Sequence, residues 1–211
     1  MVSLVRLLLC VPLLGVFLDA GDSPESGHTN VLFLIADDLN CDLGAYGSAV
    51  VQSPNIDRLA ESGVLFTNAH CQVPLCGPSR NSFMTGLYTD QIGTHQLRAL
   101  LRDKEPRAVT MTQHFMASGY TAARVGKIYH YDNPKGIGTM GHDDPLSWNI
   151  RIAPKGRDKE IEDEIVRITH LRERIPNRNG LGAQLSWLAD DFQDGQSDLL
   201  HTDGMVAQEA V

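Results

Sequence analysis

An α/β architecture built on a parallel, doubly wound sheet is predicted by the way apolar residues are spaced along this chain. Residues 30–38, NVLFLIADD, form a continuous apolar run of strand length that ends in two carboxylates, the pattern of a strand buried on both faces. Segments of strand and helix character then alternate, as the layers of such a fold require. Glycine and proline mark several of the changes, at Pro54, Gly63, Gly86 and Gly119.

Taken in order, the first strand places Asp37 and Asp38 at its carboxyl end. Ser53-Pro54 opens a helix over NIDRLAES, with Ser53 as cap and Pro54 at the first helical position, and Gly63 closes it. Val64 to Thr67 reads as the next strand. Pro78 and Gly86 bracket a short helix, with Cys76 just before its amino terminus. Thr110 to Ser118 is helical, with Met111 and Phe115 four apart and Gly119 after the end. Tyr120 to Val125 is the strand that follows. Beyond His130 the chain turns Gly- and Asp-rich, with one helical-looking stretch, IEDEIVRITHLRER. Thr202 to Val211 reads as a helix begun by a Thr-Asp cap and cut short.

The 211 residues, 42% hydrophobic and 21% charged, suffice for one domain with a core. Formal charge is −8, and stays so without residues 1–20, which carry one Arg and one Asp. That balance excludes nucleic acid as a natural partner. It also repels anionic substrates at long range, so an anion site must rest on local positive groups such as Arg80 and Lys127, or on a bound cation. Residues 1–20 read as a signal peptide, with Arg6 before the apolar run Leu7 to Leu18 and small residues at Ala20 and Gly21. About twelve apolar residues are short for a bilayer span. The expectation is an exported protein with no stable membrane span once the signal is cleaved, and residues 21–211 as its domain.

Cys10 lies in the signal, leaving Cys41, Cys71 and Cys76. An odd number argues against a disulfide framework and leaves one thiol with a separate fate. His70-Cys71 with Cys76 is no zinc site, because no second pair completes four ligands. Gly119 to Lys127 is no phosphate loop, since six residues separate its glycines and Ile128 follows the lysine. The Gly77 to Asn81 turn lacks the second glycine of a hydrolase elbow. A cysteine hydrolase pairing Cys76 with His95, His114 or His130 stays open on composition, with nothing positive behind it. Asp37 and Asp38 suit a hard divalent cation at the mouth of a sheet, although aspartate pairs after strands also cap helices or meet solvent. A Cys at a helix amino terminus faces free N–H groups that favour anions, and Arg80, one turn on, can reach back to it.

Three segments in order carry a resemblance: NVLFLIADD, LCGPSRNSFMTG and GYTAARVGKIYH. The C-G-P-S-R pattern continues through Phe83, Thr85 and Gly86, and the third segment fits G-Y-x-x-x-x-x-G-K-x-x-H. Together they resemble the sulfatases, and the longer stretches SPNIDRLAESGVLFTNAH and HDDPLSW look like the iduronate-2-sulfatase-like branch. The resemblance implies an alkaline-phosphatase-like fold, incomplete at its carboxyl terminus. It implies oxidation of Cys76 to formylglycine by a formylglycine-generating enzyme, giving the nucleophile for sulfate-ester hydrolysis. Asp37, Asp38 and residue 76 would bind calcium, Arg80 would steady the formylglycine, Lys127 would contact the sulfate, and His130 would orient the formylglycine hydroxyl. A sulfated sugar or glycosaminoglycan is the implied substrate. The second half of the family's site lies beyond the matched segments, so the chain by itself is expected to bind metal weakly and not to turn over. A truncated, non-catalytic remnant and a phosphoesterase or phosphonate hydrolase on the same fold are the competing readings.

Overall fold

The computed structural model describes residues 29–37, 39–160 and 198–211, together with the backbone of the strand residues 166–169, 173–176 and 186–187. The signal segment and Asp38 lie outside the described residues. Two units are distinguished, Met1–Ile35 and Ala36–Val211. In the first, residues 29–35 belong to no strand, and Val31, Leu32, Phe33 and Leu34 are exposed. The buried strand expected here is therefore absent. An apolar run becomes a parallel strand only where neighbouring strands pair its backbone, and composition alone does not supply them.

The second unit holds α1 (Pro54–Ser62), α2 (Cys76–Thr85), α3 (Thr89–Ile92), α4 (Leu101–Lys104), α5 (Met111–Ala117), α6 (Arg157–Glu160) and α7 (Thr202–Glu209). Its strands are β1 (Ala123–Val125), β2 (Ile150–Ile152), β3 (Val166–Thr169), β4 (Glu173–Pro176) and β5 (Ser186–Trp187). β1 and β2 pair in parallel, Ala123 opposite Ile150 and Val125 opposite Ile152. β3 is flanked by β4 and β5, both antiparallel to it.

Several ends have clear local causes. Thr110 caps α5 through a reciprocal box, accepting from the Gln113 N–H at 3.3 Å while Gln113 Oε1 accepts from the Thr110 N–H at 2.9 Å. α2 stops at Gly86, whose φ of 70° is the left-handed value glycine takes without strain. Ser53 precedes α1 as expected but does not cap it. Its hydroxyl accepts from the Gly44 N–H at 2.9 Å and donates to Asp57 at 2.8 Å, tying α1 to the short 3-10 turn Gly44–Tyr46.

Four expectations are corrected. Val64 to Phe66 form no strand and are exposed, again for want of a partner. The strand foreseen at Tyr120 to Val125 is confined to its last three residues. IEDEIVRITHLRER looked helical, yet Val166–Thr169 and Glu173–Pro176 form an antiparallel pair; β-branched Val166, Ile168 and Thr169 favour the pleat. α7 begins after His201, and Thr202 does not cap it. Instead its N–H and hydroxyl donate to Asp158 at 2.7 and 2.8 Å, docking α7 on α6.

Met84, Leu101, Ala108 and Tyr129 form the buried core, with Phe83, Met111, Ile128 and Trp148 packed around it. Beside it, two adjacent aspartates are locked by separate arginines. Asp143 accepts from Arg124 at 2.8 and 3.1 Å and from the Trp148 indole at 3.0 Å. Asp144 accepts from Arg102 at 2.6 and 3.0 Å and from Ser147 at 2.7 Å, while Tyr129 and Thr110 each meet Ser147 at 3.0 Å. This network fastens α4, α5 and β1 to the segment before β2 and so fixes the chain that leaves β1 toward Lys127.

Candidate active site

α2 positions the central sulfur. Leu75 is extended (φ −146°, ψ 129°), so the chain enters the helix abruptly, and Cys76 is its first residue rather than a residue before it. Pro78 falls within the first turn, where its missing N–H costs nothing. Gly77 is dictated by packing: a Cβ there would lie 2.1 Å from the Leu97 carbonyl oxygen. Cys76 is partly exposed at this helix start, where Pro78 offers no N–H and the Ser79 N–H donates to the Leu75 carbonyl at 3.0 Å.

Arg80 lies one turn along the same helix and is 4% exposed. Its Nε donates to Cys76 Sγ at 3.1 Å. Its Nη1 donates to the carbonyls of Lys127 and Ile128 at 3.1 and 2.7 Å, and its Nη2 to Asp37 Oδ1 at 2.7 Å. One guanidinium thus joins the helix start, the segment after β1, and Asp37. β1 delivers that segment through Gly126, which has φ 70° and whose N–H donates to the Ile152 carbonyl of β2 at 3.0 Å.

Lys127 Nζ reaches Asp37 Oδ2 at 2.5 Å and stands 5.5 Å from the centroid of the Tyr131 ring. The Cys76 thiol donates to Asp37 Oδ1 at 3.4 Å. Burial pushes the Asp37 carboxyl up, but the hydrogen bond and charge of Lys127, with Arg80 beside it, outweigh that and hold its pKa down at about 2. Among the described residues, two cations, Arg80 and Lys127, face the single carboxylate of Asp37, in a chain whose formal charge is −8.

Asp37, Cys76, Arg80 and Lys127 therefore meet in one cluster. His130 stands apart from it in hydrogen bonding: its Nε2 is 3.3 Å from Asp132 Oδ1, and its ring packs edge-on to His142 at 5.7 Å between centroids. Burial, then the charge of Lys127, lower its pKa against the opposing pull of Asp132. The hydrogen-bond partners of Cys76 are Arg80 and Asp37, whereas His95 pairs with Asp90 at 3.5 Å, so the geometry gives no support to a cysteine–histidine hydrolase. Sequence reasoning missed Arg98, Tyr131 and Asp132; for Asp132 the available signal was a carboxylate two residues after His130.

Calcium takes six to eight oxygen ligands. Among the described residues no three His, Cys, Asp or Glu side chains are grouped as a metal site, and both Asp37 oxygens are engaged by cations. The described donor set does not amount to a calcium site. Cys76 Sγ itself meets both a donor, Arg80 Nε, and an acceptor, Asp37 Oδ1.

The sulfatase family model matches residues 29–169. The chain is 40% identical over 144 residues to iduronate 2-sulfatase of Mus musculus, covering 65% of this chain and 25% of that protein. With iduronate 2-sulfatase of Homo sapiens it shares 41% over 122 residues, covering 57% and 22%. An N-acetylgalactosamine-6-O-sulfatase of Bacteroides thetaiotaomicron is 33% identical over 158 residues, 72% of this chain and 29% of that protein. The matched segment thus spans less than a third of these relatives' length.

Proposed function

Because the chain belongs to the sulfatase family, we propose that it carries the nucleophile half of a sulfuric ester hydrolase site, acting on sulfated sugars or glycosaminoglycans. The observation that carries this reading is the Asp37–Cys76–Arg80–Lys127 cluster at the amino terminus of α2. Once Cys76 is converted to formylglycine, its hydrated aldehyde would supply the oxygen that attacks sulfur.

The chain's own residues then have distinct tasks. Arg80 holds residue 76 from one side and, buried and fully engaged, cannot swing away. Asp37 stays ionised at neutral pH and is an acceptor for a proton on the residue 76 oxygen. Lys127, at the amino-terminal end of the α2 dipole, offsets charge on the sulfuryl oxygens. His130 is neutral over a wider pH range than a free imidazole and serves as a base near the site. Calcium, with Asp37 and Asp38 among its ligands, belongs to this proposal only with further oxygen donors. Export is part of the same reading and rests on residues 1–20; among the described residues, no helix is long and apolar enough to cross a membrane.

The test is expression of the full-length protein in an exporting host with a formylglycine-generating enzyme. Hydrazide capture should reveal an aldehyde on the peptide bearing residue 76, and aryl sulfate should be cleaved faster than aryl phosphate. Faster phosphate release would assign the site to a phosphoesterase instead. An aldehyde without turnover of either ester would mark a non-catalytic protein.

A further inference from the structure

His130 is 7% exposed, and its two ring nitrogens stand in opposite circumstances. Nε2 faces Asp132 Oδ1 at 3.3 Å. Nδ1 is buried and has no hydrogen-bond partner among the described residues. Asp132 is in turn clamped by Arg98, whose Nη2 and Nε donate to its two oxygens at 2.5 and 3.3 Å. An ionised carboxylate only accepts, so the imidazole proton must reside on Nε2 and the lone pair on Nδ1. The His142 ring packs edge-on against the His130 ring, and the His142 N–H donates to the His130 carbonyl at 2.9 Å, tying the two backbones together.

We propose that Asp132, held by Arg98, is a positioning residue that locks His130 as the Nε2-protonated neutral imidazole and leaves Nδ1 as its one basic nitrogen for chemistry at residue 76. The inference rests on the sulfatase reading for its purpose, but not for its geometry. A buried nitrogen without a partner costs stability, and an orienting carboxylate behind an imidazole is the usual means of choosing which nitrogen reacts. Arg98 holds that carboxylate ionised: burial raises the Asp132 pKa, and the hydrogen bonds from Arg98 and His130 bring it below its ordinary value. The exposed guanidinium of Arg98 adds little else, since its side chain is 64% accessible.

The experiment is nitrogen NMR of the His130 ring in the full-length protein, wild type against Asp132→Ala, Asp132→Asn and Arg98→Gln. Wild type is expected to show a single neutral tautomer protonated at Nε2. Asp132→Ala should give interconverting tautomers, and Asp132→Asn, which keeps an acceptor oxygen, should restore most of the wild-type signature. Arg98→Gln, altering a mostly exposed side chain, should shift the ring in the direction of Asp132→Ala and serves if that variant fails to fold. Protonation at Nδ1 in wild type, or ring signals unchanged in Asp132→Ala and Arg98→Gln, would overturn the proposal. In turnover, Asp132→Ala should lower kcat about tenfold at unchanged KM, less than the ~10²–10⁴-fold that a positioned acid or base itself supplies. Unaltered ring signals alongside a dead Cys76→Ala variant refute this inference and leave the nucleophile standing. Shifted ring signals with turnover surviving in Cys76→Ala support it and refute the sulfatase reading.

Discussion

Asp37 and Asp144 are each gripped by an arginine at comparable distances, 2.7 Å from Arg80 and 2.6 Å from Arg102. Their surroundings differ. The Asp144 side chain is 2% exposed and has Arg102, Ser147 and the Leu146 N–H around it. Asp37 is 32% exposed, shared between two cations and in contact with the one partly exposed thiol of α2. The first arrangement is closed and balanced, and its product is rigidity. The second is open, with two cations on one described carboxylate, and in the proposed reading it receives an anion. The same pair of residue types thus serves fold or chemistry according to what else can reach it.

The largest effect that would test this division is on turnover. Cys76→Ala is expected to abolish sulfate-ester hydrolysis while thermal unfolding stays close to wild type, because the site side of the comparison contributes chemistry rather than stability. Retained activity would remove the assigned nucleophile. On the closed side, Asp144→Ala should leave turnover to fail only through unfolding. It strips Arg102 of its buried counter-charge at a cost of about 3–5 kcal/mol, a large part of the ~5–15 kcal/mol that holds a typical domain. Denaturant titration measures it, and a loss below about 1 kcal/mol would show the lock to be ornamental.

Asp144 also sets a pH dependence whose sign is fixed. Burial raises its pKa, but the bonds from Arg102 and Ser147 prevail and hold it below the ordinary 3.8. The native state therefore binds fewer protons than the unfolded chain. The stabilisation is complete above the unfolded value and is lost as pH falls through the folded one. Wild type should weaken below a pH of about 3.8 more steeply than Asp144→Ala, and parallel acid limbs would contradict the assignment.

Legibility divides along the range of the interactions. α2 with Cys76 and Arg80 could be read because its determinants are local: Gly86 at the end, and an arginine four residues after the cysteine. The α5 helix was legible for the same reason, although Thr110, read as part of it, is its cap. Lys127 reaches Asp37 across 90 positions of sequence, and only the resemblance of two separated motifs joined them. Asp132 and Arg98 are 34 apart with no motif to link them, so they went unseen. The strands at residues 30–35 and Val64–Thr67 were misread because hydrophobicity reports a preference for burial, while a strand also needs a neighbour for its backbone. The β3–β4 pair was misread in the opposite sense: a stretch that looked helical holds β-branched Val166, Ile168 and Thr169 in paired strands.

Gly77→Ala probes the frame of the site itself. The added methyl would meet the Leu97 carbonyl oxygen at 2.1 Å, and backbone cannot yield as a flexible side chain does. About 1–3 kcal/mol of overpacking strain is expected. The strain falls next to Cys76, so turnover should suffer more than stability. Equal proportional losses would place Gly77 among the structural residues alone.

Lys127→Met carries the smallest expected change in stability and the sharpest contrast. The substitution keeps the packed stem and removes the charge. Because Asp37 is partly open to water and retains Arg80, losing the second cation should cost about 1 kcal/mol or less, while removal of Arg102 from Asp144 costs several-fold more. Turnover should nevertheless fall steeply, since the cation proposed to meet the sulfuryl oxygens disappears with Lys127. If Lys127→Met instead unfolds the protein as readily as Asp144→Ala, then Asp37 is the hub of a second lock, and the openness of its carboxylate has no bearing on what the site does.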